Sequence, residues 1–76
     1  MLASAHGRRD RELALHLVRA LYEATAGRPQ VWRMLEELDA ATTDAIVLAV
    51  TRGWVVVQAG HSICLTDAGR RLVELR

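Results

Sequence analysis

The residues that could do chemistry are few and scattered. The 76-residue chain has three histidines, His6, His16 and His61, and one cysteine, Cys64. None of these falls at the spacing of metal ligands, so no metal site is expected. A lone cysteine also excludes an internal disulfide framework. Cys64 and His61 lie close in sequence, but a nucleophile pair needs a third group to orient the base and a site for the oxyanion, and nothing in the chain suggests either. The five glycines mark turns, helix ends and the last helix and form no GxxxxGK[ST] run, so neither nucleotide binding nor any other cofactor is expected. Every Lys/Arg position is arginine, a side chain suited to two-pronged contacts with phosphates and base edges. Arginine and polar side chains that gather on one surface are therefore the chemistry worth locating.

Composition narrows the field. Ten Lys/Arg against nine Asp/Glu give a formal net charge of +1, which is not the strong basic footprint usual in nucleic-acid binders. A chain of this length buries only about 60% of its unfolded surface. Its elements must build one core and cannot also wall a deep substrate pocket, so a self-contained enzyme is not expected. No apolar run approaches the roughly 18 residues of a membrane-spanning helix. The opening MLASAHGRRDRE lacks the apolar stretch of a secretion signal, and the expected location is the cytoplasm.

Hydrophobic spacing then assigns elements. Residues 1–9 show no period and read as a flexible lead-in, with the folded domain spanning 10–76. From Asp10, the apolar residues Leu13, Leu17, Ala20, Leu21 and Ala24 recur at helical spacing to about Thr25. Gly27 and Pro29 punctuate the corner, and Val31, Met34, Leu35 and Leu38 predict a second helix ending near Asp39. Thr42 or Thr43 caps a third helix that runs to Arg52, with Gly53 just past its end. Trp54–Val57 and Ile63–Leu65 read as two strands of a β-hairpin across the turn Ala59–Ser62. Thr66 caps a last helix over Asp67–Leu75.

Three helices, the last two joined by a short connection as in a helix-turn-helix, then a hairpin and the tail LTDAGRRL, resemble a winged helix domain of the MarR-type and PadR-type regulators. The fold class this implies is α+β and mostly α, with a three-helix bundle, a two-stranded wing and a short C-terminal helix. The resemblance further implies double-stranded DNA as partner, a third helix that reads the major groove and a wing that touches the backbone. Carried onto this chain, the DNA-facing set is Thr42, Thr43, Val47, Thr51 and Arg52 on the third helix, Gln58 and His61 on the wing, and Arg70 and Arg71 beyond it. Arg8, Arg9 and Arg11 form a small basic cluster before the first helix that could add phosphate contacts, although a flexible charged end is usually just solvated.

The residues themselves also support a second reading. Helical rotation points Asp44, Val47, Leu48 and Thr51 of the third helix outward and Ala45, Ile46, Ala49 and Val50 inward. An outward face so aliphatic and acidic lacks the arginine, lysine, asparagine or glutamine that usually reads bases. It suits protein contact, with a homodimer the commonest arrangement. The candidate interface is then Trp32, Val47, Leu48 and Val56. Strand alternation turns Cys64 away from Ile63 and Leu65, which predicts a partly exposed thiol.

Overall fold

A computed structural model describes residues 2–75, with side chains from Arg9 onward. His6 and Arg8 thus lie outside the described side chains. The element order is α1 (Leu2–Ala24), β1 (Trp32–Met34), a 3-10 turn (Leu35–Glu37), α2 (Thr43–Thr51), β2 (Val55–Gln58), β3 (Ser62–Leu65) and α3 (Asp67–Glu74). The fold is α+β, with three α-helices and a three-stranded antiparallel sheet of order β1-β3-β2.

Helix α1 begins at Leu2 rather than near Asp10, so its backbone includes most of the segment read from sequence as a lead-in. Its core stripe is Ala14, Leu17, Val18 and Leu21, all buried, at the three- and four-residue steps that keep one helix face together. Thr25 closes this stripe: its hydroxyl is buried and donates to the Leu21 carbonyl at 2.8 Å. Ala45 and Ala49 of α2 pack into the same core, as do Val55, Ile63 and Leu65 of the sheet. Alanine on α2 lets the two helices approach closely, and α1–α2 is the most extensive contact in the fold.

The second helix expected over residues 29–39 is absent, and with it the paired helices of a helix-turn-helix. The chain instead takes a positive φ of 65° at Gln30 and enters β1. The Gln30 N–H donates to the Leu65 carbonyl at 3.1 Å, and the Leu35 N–H to the His61 carbonyl at 2.9 Å. These bonds satisfy the second side of β3, which the hairpin alone would leave unpaired. Val31 and Trp32 are of types that favour strands, and the demand of β3 for a partner outweighs the helical spacing. Leu35 and Leu38 still pack against the core, whereas Met34 is turned outward.

The other predicted elements are present within a residue or two of their expected ends. Thr42 caps α2, accepting a bond from the Ala45 N–H at 3.3 Å. At the far end Gly53, with φ 77°, donates to the Val50 carbonyl, and Trp54 donates to the Ala49 carbonyl. This pair of bonds is a Schellman motif, which requires the left-handed conformation glycine adopts freely. In the hairpin turn both Ala59 (φ 55°) and Gly60 have positive φ, and the His61 N–H returns to the Gln58 carbonyl at 3.2 Å. Positive φ at both central residues matches the right-handed twist of the strands.

Helix α3 is fastened to the hairpin by Thr66. Its hydroxyl donates to the Gly53 carbonyl at 2.6 Å and accepts from the Gly69 N–H at 3.0 Å, while its own N–H donates to the Trp54 carbonyl at 3.1 Å. Gly69 sits against that same Trp54 carbonyl oxygen, so closely that a Cβ would overlap it and would also come within 2.9 Å of the Leu65 side chain. A glycine inside a helix costs up to about 1 kcal/mol relative to alanine; here the missing Cβ is what lets α3 lie on the strand. Gly69→Ala is therefore expected to destabilise the fold by about 1–3 kcal/mol despite its better helix propensity. Thermal or urea unfolding checks this, and an unchanged midpoint would show that α3 does not need the close approach.

Candidate functional site

The outward face of α2 is built from Thr43, Asp44, Val47, Val50 and Thr51, all exposed. Val47 is 59% and Val50 44% exposed. Leu48, expected on this face, is instead half-buried and packed against the core, and Val50, expected inside, is outside. The buried stripe Ala45–Ala49 meets α1 with Ile46 and Leu48 on its two flanks. The face is thus rotated by part of a turn from the one the apolar pattern suggested. A run of nearly continuous apolar residues, Ala45–Val50, gives periodicity little to choose between.

The polar groups of α2 are largely committed. The Thr42 hydroxyl caps the helix, and the Thr51 hydroxyl donates to the Val47 carbonyl at 2.7 Å. Thr43 and Asp44 are exposed in the first turn. The Asp44 carboxylate favours the helix dipole but disfavours an incoming phosphate. Arg52 forms the C-cap, where its backbone N–H returns to Leu48 at 2.9 Å. Its side chain is exposed and in no ion pair among the described residues.

Beyond α2, Gln58 and His61 are exposed on either side of the hairpin turn. Thr66 holds the start of α3 against Gly53, so Arg52 lies beside that junction. The turn sits at the opposite end of β2, about 13 Å away for a four-residue strand. Arg52 and the Gln58–His61 pair therefore form two separated polar points along the hairpin and not a single cluster. Arg71 is exposed. Arg70 is half-buried and engaged with Glu74 at 3.3 Å and Asp67 at 3.8 Å, which ties it to its own helix. On α1, Arg9 and Arg11 are both exposed.

The outer face of the sheet gives a second surface. The register sets Trp32, Cys64 and Val56 in one cross-strand row and Met34, Ser62 and Gln58 in the next. Trp32, Met34 and Val56 are 44%, 40% and 47% exposed. Cys64 faces the same way yet is only 4% exposed. As a central-strand residue it is covered from both sides by Trp32 and Val56, so the partly exposed thiol expected from alternation is not there. Burial raises its pKa, opposed by the backbone N–H groups of Val56 and Gln30. Met34 belongs to this face and was missed because its spacing placed it in a helix core.

An open groove of about 470 Å³ lies between α1 and the 3-10 turn, lined by His16, Ala20, Glu37, Leu38, Asp39 and Ala40. No group of three His, Cys, Asp or Glu side chains that could hold a metal occurs among the described residues. No described helix is long and apolar enough to cross a membrane. No family model matches the chain, and no curated protein or solved structure matches it.

The Tyr22 hydroxyl donates to a Glu74 carboxylate oxygen at 3.0 Å, joining α1 to α3. That bond, with some desolvation and the Glu74 charge, raises the phenol pKa above its ordinary value, and Arg70 opposes it. A pKa raised by folding means that the bond stabilises below the unfolded value of about 10 and is lost as pH rises through the folded one. Tyr22 is the only tyrosine, so its ultraviolet titration can be read directly. The titration midpoint is expected above 10 and should fall towards it in Glu74→Ala. Equal midpoints would mean that the α1–α3 bond is not formed in solution.

Proposed function

We propose that the chain is a DNA-binding domain of the winged helix type, serving as a small regulator of transcription in the cytoplasm. The observation that carries this reading is the passage from the exposed face of α2, through an exposed Arg52 at its end that forms no ion pair among the described residues, directly into a hairpin whose turn displays Gln58 and His61. The closing helix opens at Thr66 in the tail LTDAGRRL, which is the part of the sequence that resembles the MarR-type and PadR-type regulators. Arg52, Arg71, Gln58 and His61 are the exposed groups suited to the DNA backbone, and Val47 and Thr51 present methyl groups suited to thymine. The extended β1 and single 3-10 turn before α2 depart from the two-helix motif.

Binding of this kind rests on phosphate contacts and must weaken steeply with salt. Titration of a labelled random-sequence duplex by fluorescence anisotropy is expected to show binding at low salt that falls as salt rises. Arg52→Ala and Arg71→Ala should each reduce the log–log salt slope by about 1. No binding at low salt overturns the proposal, and unchanged slopes remove these two arginines from it.

One observation favours a second reading: the exposed face of α2 is aliphatic at Val47 and Val50 and acidic at Asp44, with no base-reading side chain before Arg52. The same helix then docks a partner protein through Val47 and Val50. Val47→Glu leaves the core untouched and is expected to abolish that docking, read as loss of co-elution with a purified partner, while far-UV circular dichroism is unchanged. Retained co-elution would reject the α2 face.

A further inference from the structure

We infer that the outer face of α1 is where a second copy of this chain binds, as an antiparallel helix pair in which Leu13 of each copy enters the groove between α1 and the 3-10 turn of the other. The inference stands apart from DNA binding, since it uses neither α2 nor the hairpin.

Helix α1 turns its buried stripe, Ala14, Leu17, Val18 and Leu21, towards the core. At roughly 100° per residue, Arg9, Glu12, Arg19 and Glu23 all fall within about 60° of His16 on the side away from that stripe. All five are exposed. The four charges are balanced in sign, and none is in an ion pair among the described residues. Yet Arg9 and Glu12, and Arg19 and Glu23, stand at the three- and four-residue spacings that permit pairing within a helix. The same face carries Leu13, 36% exposed, and the half-buried Ala20.

A two-fold axis at the level of His16 matches this face to its own copy. In an antiparallel pair about that axis, each residue meets the one equally far from His16 in the other direction, and like flanks of the two helices come together. Arg9 then faces Glu23 of the other copy at each end. Glu12 lies one helical step, about 1.5 Å, from the level of Arg19 of the other copy and on the same flank. All four charges in each copy thus gain a partner of opposite sign. Other alignments lose this. An axis at the level of Ala14 sets Arg9 against Arg19, an axis at Val18 leaves Glu12 and Glu23 opposite Ala24 and Leu13, and a parallel pair sets like charge on like.

The groove supplies the apolar half of the fit. It borders α1 at His16 and Ala20, and Leu38 and Ala40 line its other wall. On this flank Leu13 of the other copy arrives between the levels of His16 and Ala20, at the mouth of the groove, where it can bury against Leu38 and Ala40. The wall is also acidic at Asp39, and the entering helix carries Arg9. From Arg9 to Glu23 the face is about 21 Å long. So short a contact makes a weak dimer, held largely by charge and loosened by salt.

Sedimentation equilibrium of the full chain at low salt, from low-micromolar to submillimolar concentration, should show the 8.4 kDa mass doubling. Arg19→Glu sets a carboxylate against Glu12 of the other copy and is expected to weaken the dimer about tenfold, as is Glu12→Arg. The double variant Glu12→Arg/Arg19→Glu restores opposite charges across the interface, and its affinity should return close to the original. Within one chain these two residues are two helical turns apart and do not touch, so only pairing between copies gives that rescue. A mass that stays monomeric overturns the inference. So does a dimer that the single reversals leave unchanged, or one that the double variant fails to restore.

Discussion

Strand β3 must be satisfied on every side, and the rest of the structure follows from that. Ile63, Cys64 and Leu65 are all buried, so their backbone N–H and C=O groups cannot turn to water and need partners on both flanks. The hairpin supplies one flank. The other has to come from elsewhere in the chain, and the segment following α1 lies within reach. Its conversion from the expected helix into β1 is the consequence. Ile63 and Leu65 then press into the core formed by α1 and α2, while Trp32 and Val56 close over Cys64 from outside.

This constraint also explains how the candidate surfaces are placed. Thr66, the residue after β3, ends the strand, caps α3 and grips the carbonyl of Gly53, so one side chain joins the end of α2, the start of β2 and the start of α3. The position of Arg52 is set there. Gln58 and His61 are carried to the opposite end by the length of the hairpin. Since β1 joins β3 and not β2, the β2 strand is left as an outer edge beside α2.

Most of the local structure was legible from residue types. Thr42 and Thr66 as caps, Gly53 beyond α2, the turn at Ala59–Gly60 and the core stripe Leu17–Leu21 each express a short-range preference that needs no distant partner. The candidate site was legible only in part. Arg52, Gln58, His61 and Arg71 are exposed as expected, but Arg70 is held by Glu74 and Asp67, Leu48 turns inward and Val50 outward. In a helix where six successive residues are apolar, the buried face is chosen by what packs against it. Cys64 failed for a related reason: alternation told which way it points, but not that neighbours on two strands would cover it.

Residue types alone placed the turns, the starts of α2 and α3, and extended runs at Trp54–Val57 and Ile63–Leu65, each within a residue of the observed strands, because caps, left-handed glycines and β-branched runs act over a few residues. Only the tertiary structure decided the state of residues 31–37, the rotation of α2 and the burial of Cys64. Each of these depends on a hydrogen-bonding or packing partner far away in the chain, and at such positions local preference is nearly balanced, so the distant contact tips the outcome.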